Sequence, residues 1–403
     1  MASTTLDGTT VPSPPAWYRN LPPNIIAPLI ARAQAQPSLA PLHLGDTYAP
    51  PPVEVQQAVA AAAGDPQTYR YQNIAGHDDL RDAVLARRRM NAVESDPALE
   101  QVFITHGATQ AIFCAAHLLC EPGDEVLVLS PYYPLIPQAF AAASAVPIEV
   151  PFYGRRPAEA LENLRSFLTP RTKVIALTNP NNPDGTVLPR DVVAQIVAFA
   201  REHGLWILSD ESYEEIRFSD APAHVPTATL PGAAAHTFTV SSFSKSYGLC
   251  GLRVGYAIVP PTLCQAARDA LMLSGIHPSN LAQRAALAAL GVADAHGRSQ
   301  RARYEVSRDV AVSALQDVCD FVVPDGATYL FVDLSRHLGG RTPTALLEDI
   351  VTHADVLLSP GALFGAAYER HARLCFSAVP TEVLSQACER LRSYLGERSR
   401  RAG

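Results

Sequence analysis

The segment Ser242-Phe-Ser244-Lys245-Ser-Tyr-Gly-Leu-Cys-Gly-Leu-Arg253 sets two hydroxyls, an amine and a guanidinium close together in the chain. Serine hydroxyls and an arginine suit a phosphorylated ligand, the arginine through a charge-assisted pair. Lysine adds what arginine cannot, an amine able to lose its proton and attack a carbon. Of the 32 basic residues only two are lysines, Lys173 and Lys245. Lys173 opens the apolar run Val174-Ile-Ala-Leu and reads as a strand-edge charge, which leaves Lys245 as the candidate nucleophile.

Three further clusters carry chemistry or its bland equivalent. Asp210-Glu211-Ser212-Tyr213 follows the apolar run Leu205-Trp-Ile-Leu-Ser, which places Asp210 at the carboxyl end of an expected buried strand. A carboxylate there is costly unless it meets a cation or a donor; a protonated ring nitrogen would serve, and so would a structural ion pair. His106-Gly107-Ala108-Thr109 ends one strand and opens a helix. Its free amides and threonine hydroxyl fit a phosphate, and they fit an ordinary helix cap equally well. Asn179-Pro-Asn-Asn182-Pro-Asp184-Gly185 reads first of all as a turn.

These clusters sit on a regular frame. Apolar runs at 101–105, 125–129, 147–150, 174–178, 205–209, 237–241 and 253–259 read as strands, and helix-period stretches at 109–119, 135–142, 158–168 and 191–203 lie between them. Strand–helix alternation over that length predicts an α/β fold with a mostly parallel sheet covered on both faces, whose ligands bind beyond the carboxyl ends of the strands. Beyond Pro278 the pattern becomes α+β, with helices at 281–290, 301–318, 343–352 and 381–395 and β-like runs at 329–332 and 374–377. The expected organisation is an arm at 1–50, proline-rich with a short helical pattern near 25–34, that completes part of a small domain; a large domain at 51–290; and a smaller α+β domain at 291–403.

Composition narrows the functions. The 403 residues are 48% hydrophobic with a formal net charge of −7, which argues for a packed globular protein and against a nucleic-acid partner. The run Arg87 to Arg89 lies in the helical pattern 80–92 and reads as a solvated face. The seven cysteines form neither a CxxC pair nor a Cys/His cluster, so no metal site and no disulfide framework is expected. No apolar run spans a membrane and no signal-peptide pattern opens the chain, so the cytoplasm is the expected compartment.

Taken in order, Leu44-Gly45-Asp46, Tyr71 ahead of Gly76, Gly107-Ala-Thr, Pro122-Gly-Asp-Glu-Val, Pro131-Tyr-Tyr133, Asn179-Pro-Asn-Asn182-Pro, Asp210-Glu-Ser-Tyr213, Ser242-Phe-Ser-Lys245, Arg253, Pro324-Asp-Gly and Arg373-Leu-Cys-Phe resemble the class I/II aminotransferases, pyridoxal-phosphate enzymes of fold type I. The resemblance covers roughly residues 40 to 395. It implies that the 51–290 domain binds pyridoxal 5′-phosphate, with Lys245 as the Schiff-base lysine and proton carrier and Asp210 paired with the pyridinium nitrogen. It further implies that Asn182 and Tyr213 bond the ring oxygen, Tyr133 stacks on the ring, and Gly107, Ala108, Thr109, Ser242, Ser244 and Arg253 hold the phosphate. Tyr71 would reach the phosphate of a neighbouring subunit in a homodimer, while Arg373 grips the substrate α-carboxylate with Gly45 close by.

Two departures bear on the substrate. Asp184 stands where relatives usually carry threonine, adding a negative charge near the site. The stretch Leu271-Met-Leu-Ser-Gly-Ile-His277-Pro lacks the distal arginine of aspartate aminotransferases, a role left to Arg19, Arg32 or Arg70 if any residue fills it. The expected activity is transfer of an amino group between an L-amino acid, neutral or basic in preference to dicarboxylic, and a 2-oxo acid. The alternative is a lyase or cyclase on the same scaffold, because fold and cofactor do not fix the fate of the carbanion. His43, His106 and His277 border the same region and read as structural.

Overall fold

A computed structural model describes residues 4–6, 9–11, 18, 26–33, 36, 38–90, 92–93 and 101–402. Most of the proline-rich arm therefore lies outside the described residues, and its helical pattern appears as α1 (Ala27–Ala33). Helices α2 (Val53–Ala63) and α3 (Asp78–Arg89) follow. The central part then alternates as expected through β1 (Gln101–Thr105), α4 (Gly107–Leu119), β2 (Glu125–Ser130), α5 (Leu135–Ala142), β3 (Val146–Pro151), α6 (Pro157–Ser166), β4 (Thr172–Thr178), α7 (Arg190–Glu202), β5 (Trp206–Asp210), β6 (Thr237–Ser242) and β7 (Gly255–Val259).

The seven strands form one sheet in the order β1-β7-β6-β5-β4-β2-β3. All neighbours are parallel except at β7, which runs against both β1 and β6. Strands β2, β4 and β5 are apolar along nearly their whole length because both faces are covered. On one side Ala111, Ala115, Ile136, Phe140 and Leu271 pack against Val126, Val174 and Leu208. On the other, Leu161, Leu164, Val193, Ile196 and Val197 close over Leu127, Ile175 and Ile207. The strands carry β-branched and large aliphatic residues that suit this doubly buried position, and polar residues reappear at their carboxyl ends, at Thr178, Asp210 and Ser242.

The chain leaves the sheet through α8 (Cys264–Gly275), α9 (Asn280–Gly291) and the long α10 (Ala293–Leu315). A three-stranded antiparallel sheet, β8 (Tyr329–Asp333), β9 (Ser359–Pro360) and β10 (His371–Cys375), in the order β8-β10-β9, then packs with α11 (Pro343–Ala354) and α12 (Thr381–Ala402). Its core contains Tyr304, Leu315, Leu346, Leu374 and Leu391 together with Leu29, Ala40 and Leu42 from the other end of the chain. Ala40 bridges Val356 in parallel.

Some boundaries differ from the sequence reading, each for a local reason. The strand expected from 253 begins at Gly255, because Arg253 takes a left-handed conformation with φ 55°. The run expected at 374–377 is the end of a strand that begins at His371, and α10 starts eight residues before the expected 301. Helix α8 has no counterpart in the reading above; only Ala267 and Leu271 of its residues are buried, too few to give a helical period.

The Arg87–Arg89 face needs a larger correction. Only Arg89 faces solvent. Arg87 pairs with Glu215 at 2.7 Å, and Arg88, 5% exposed, places Nη1 2.9 Å from Glu211 and 3.4 Å from Glu214. Glu211, Glu214 and His224 converge closely enough to hold a cation; the Arg88 guanidinium sits on the two carboxylates, and His224 Nε2 lies 3.6 Å from Glu211. A charge run read along one helix cannot reveal carboxylates that arrive from β5. No helix among the described residues is long and apolar enough to cross a membrane.

Candidate active site

The carboxyl ends of β5 and β6, the amino end of α4 and the middle of β10 enclose a cavity of about 290 Å³. Into it the chain brings Gly45, Ala108, Thr109, Tyr133, Asn182, Asp210, Tyr213, Ser242, Ser244, Lys245, Arg253 and Arg373, residues separated by up to 328 positions in sequence. Gly107 lies just behind its wall. Tyr71 does not line it: its side chain is 81% exposed and forms a T-shaped pair with His277, at 5.8 Å between ring centroids.

One wall is built for an anion. Helix α4 opens at Gly107, whose φ of +71° turns the chain so that the amides at the helix start face the cavity. A Cβ at that position would sit 2.6 Å from Arg253 Nη2, so the guanidinium reaches the helix terminus only because the residue is glycine. Ser242 and Ser244 complete the wall, their hydroxyls 2.9 Å apart.

The floor carries one carboxylate. Asp210 is 3% exposed, and its Oδ1 accepts from the Ser212 amide at 3.1 Å and the Ser212 hydroxyl at 2.6 Å. Burial pushes its carboxyl up to about 6 against those two bonds, with Glu211 adding to the rise. Glu211 points to the opposite side of the strand end, where Ser209, Thr227 and Arg88 bind it. Its burial acts upward, but Arg88 and His224 bring it down to about 2. The two adjacent carboxylates thus have opposed characters: one is satisfied by the protein, the other faces the cavity with no cation.

Opposite lies Arg373, 7% exposed, which donates to Asn182 Oδ1 at 2.9 Å and to the His43 carbonyl at 2.8 Å. Its guanidinium lies 4.3 Å from the Tyr329 ring centroid and 4.8 Å from that of Phe364. No carboxylate among the described residues pairs with it, and its Nε has no partner. A buried guanidinium held by neutral groups alone is a receptor for an anion. Lys245 Nζ donates to the Gly45 carbonyl and also has no carboxylate partner.

Tyr329, Ser212 and Leu44 line the cavity without having been given a role from the sequence. Tyr329 matters most, since its hydroxyl lies 2.5 Å from that of Tyr213 while its ring faces Arg373. The run Tyr329-Leu-Phe-Val announces a strand and nothing about which face meets a site. Asp184, by contrast, does not line the cavity. Its carboxylate accepts from Asn181 Nδ2, the Thr186 amide and the Thr186 hydroxyl at 2.8–3.1 Å, a brace for its own loop.

The histidines serve locally. His43 works through its backbone carbonyl, and burial followed by the Arg373 charge lowers its ring to about 4. His106 precedes α4, its amide donating to Gln110 Oε1 at 2.8 Å. His277 accepts from the Gln72 amide at 3.2 Å through Nε2 and places Nδ1 2.8 Å from the Pro278 carbonyl. Arg70 is exposed and away from the cavity, while Arg19 and the side chain of Arg32 lie outside the described residues.

The profile of the family described as aminotransferase class I and II matches residues 41–391. The chain belongs to that family. This aminotransferase is 33% identical to a probable aspartate/prephenate aminotransferase of Thermus aquaticus, over 89% of its own length and 91% of that protein. It is 30% identical to an arginine–pyruvate transaminase of Pseudomonas aeruginosa, over 90% and 91%. Its fold superimposes on Thermus thermophilus aspartate aminotransferase with maleate at a TM-score of 0.85, with 29% identity and coverage of 95% and 100%. The aminotransferase therefore has the fold type I architecture, a mostly parallel sheet with a smaller α+β domain.

Proposed function

We propose that this aminotransferase holds pyridoxal 5′-phosphate in the cavity around Lys245 and moves an amino group between an L-amino acid, neutral or basic in preference to dicarboxylic, and a 2-oxo acid. The observation that carries the reading is the charge of the cavity, where Lys245, Arg253 and Arg373 face Asp210 alone. A phosphate and a substrate carboxylate supply the missing anions, and a ring cation supplies the partner that Asp210 lacks.

The residues fit such a group. The amides of Gly107, Ala108 and Thr109, the hydroxyls of Ser242 and Ser244, and Arg253 would hold the phosphate. Tyr133 would cover the ring, Asn182 and Tyr213 would bond its oxygen, and Asp210 would keep its nitrogen protonated. When bound, pyridoxal phosphate supplies an aldehyde that takes up the amine and a ring that withdraws electrons from the substrate Cα. Arg373 binds the α-carboxylate as a fork fixed by Asn182, His43, Tyr329 and Phe364. Gly45 leaves the space beside it, since a methyl group there would run into the Tyr329 hydroxyl. Lys245 would take the proton from the substrate Cα as a base and give it back as an acid.

One feature supports a neutral or basic side chain. The 271–278 stretch brings no arginine to the cavity, and His277 engages both ring nitrogens on backbone. The names of the relatives span aspartate/prephenate and arginine–pyruvate transfer. We further propose a homodimer. Tyr71, Leu273 and Ile276 are exposed to 81%, 85% and 42%, an apolar group that a second subunit would cover, with Tyr71 reaching into the neighbouring cavity.

The test is to mix the yellow holoprotein with L-arginine, L-alanine, L-phenylalanine and L-aspartate in turn, then add pyruvate and assay ammonia. Bleaching that pyruvate reverses, without ammonia, supports the reading. A kcat/KM for aspartate above those of the other donors overturns the substrate class, and stoichiometric ammonia replaces transamination with the lyase or cyclase reading.

A further inference from the structure

Lys245 has a neighbour that the reaction above leaves unused. Its Nζ donates to the Gly45 carbonyl on one side and to Cys250 Sγ, 3.4 Å away, on the other. The Cys250 thiol donates in turn to the Ser244 carbonyl at 3.2 Å. The Ser244 carbonyl and the Asp46 side chain both draw the hydrogen on sulfur, and a sulfur lone pair is left for the amine. A short 3₁₀ turn, Cys250–Leu252, brings the thiol back past the lysine, and Cys250 is not part of the cavity lining. It lies behind the amine, with the Asp46 side chain also in contact with it.

We propose that Cys250 is a positioning residue for the aminotransferase reaction: with the Gly45 carbonyl it forms a berth that holds the Lys245 amine, as an ammonium, whenever that amine is not engaged with cofactor. The inference rests on the reading that the cavity binds pyridoxal phosphate. Sulfur is a weak acceptor, but no carboxylate among the described residues pairs with this buried ammonium, so each acceptor that replaces water counts. Burial lowers the basicity of Lys245; Tyr329, Cys250 and Cys375 outweigh it, and the amine ends above its ordinary value. Tyr133, Tyr213, Asp210, Arg253 and Arg373 face the same cavity and are unaltered by substitutions at 250.

The experiment mixes apoprotein with pyridoxal phosphate and follows the growth of yellow absorbance against pH, for the natural protein, Cys250→Ala and Cys250→Ser. The ammonium must release a proton before its nitrogen attacks the aldehyde carbon and water leaves, so the rate reports how firmly the berth holds that proton. Cys250→Ala is expected to react about threefold faster at neutral pH, its profile displaced toward lower pH by about half a unit. Cys250→Ser, whose hydroxyl accepts the same N–H, is expected to track the natural protein. Coincident profiles for the natural protein and Cys250→Ala overturn the berth. A serine variant that matches alanine also overturns it and assigns the thiol to packing. If even the natural protein develops no yellow species, the cofactor reading fails, and this inference fails with it.

Discussion

Arg373, Lys245 and Asp210 each have a partner missing, and each lack makes a different prediction. Arg373→Ala removes the anion receptor but not the amine. It is expected to raise KM for the amino donor by about a hundredfold or more, the worth of a charge-assisted fork, with a smaller fall in kcat, read from steady-state kinetics. Lys245→Ala is expected to abolish turnover while leaving the phosphate wall intact; measurable transamination by that variant would refute the assigned proton carrier. For Asp210 the prediction concerns stability. Its folded carboxyl is raised to about 6 from an ordinary value of 3.8. The folded apoprotein therefore keeps a proton that the unfolded chain releases, and stability falls as pH rises from near 4 to near 6. Asp210→Asn is expected to remove that decline, leaving the apoprotein about 1–3 kcal/mol more stable at neutral pH while transamination collapses. Thermal unfolding at several pH values checks it.

At the scale of elements, the site depends on loops that approach one another too closely for side chains. Gly185 closes the Asn179–Gly185 loop with φ +74°, and a Cβ there would lie 2.5 Å from Pro324 Cβ and 2.6 Å from the Gly326 carbonyl. Gly185→Ala is expected to cost about 2–3 kcal/mol and to weaken the grip on the α-carboxylate through Asn182. A Tm unchanged from that of the natural protein would contradict this. Much of this frame is legible in the sequence. The apolar runs of β2, β4 and β5 end in Ser130, Thr178 and Asp210, and of these ends the one at Asp210 carries chemistry. What sequence does not carry is direction and approach. The reversal of β7, the inward aim of Tyr329, the burial of Arg88 beneath Glu211 and the sulfur behind Lys245 are set by contacts between segments far apart in the chain. Asp184 is the complementary case, since its position marked it as a site charge and its neighbours Asn181 and Thr186 make it a loop brace.

In the homodimer proposed above, the whole molecule is half of a catalytic unit. Tyr71 and Leu273 stand clear of their own subunit, so a mixture of inactive Lys245→Ala with Tyr71→Phe is expected to recover activity after exchange of subunits, because one of the two hybrid cavities has both residues intact. Full activity from a monomer in sedimentation would refute the arrangement. The protein's near-exclusion of lysine has a practical outcome as well. Lys173 is exposed on β4 and Lys245 lies in the cavity, so a lysine-selective acylating reagent has only two ε-amines to find. After Lys173→Arg the mass increment on the intact chain, beyond any acylation of the α-amino group, counts vacant catalytic centres. In most proteins the same label would be lost among dozens of surface amines; here the choice of arginine for the exterior makes occupancy something that can be weighed.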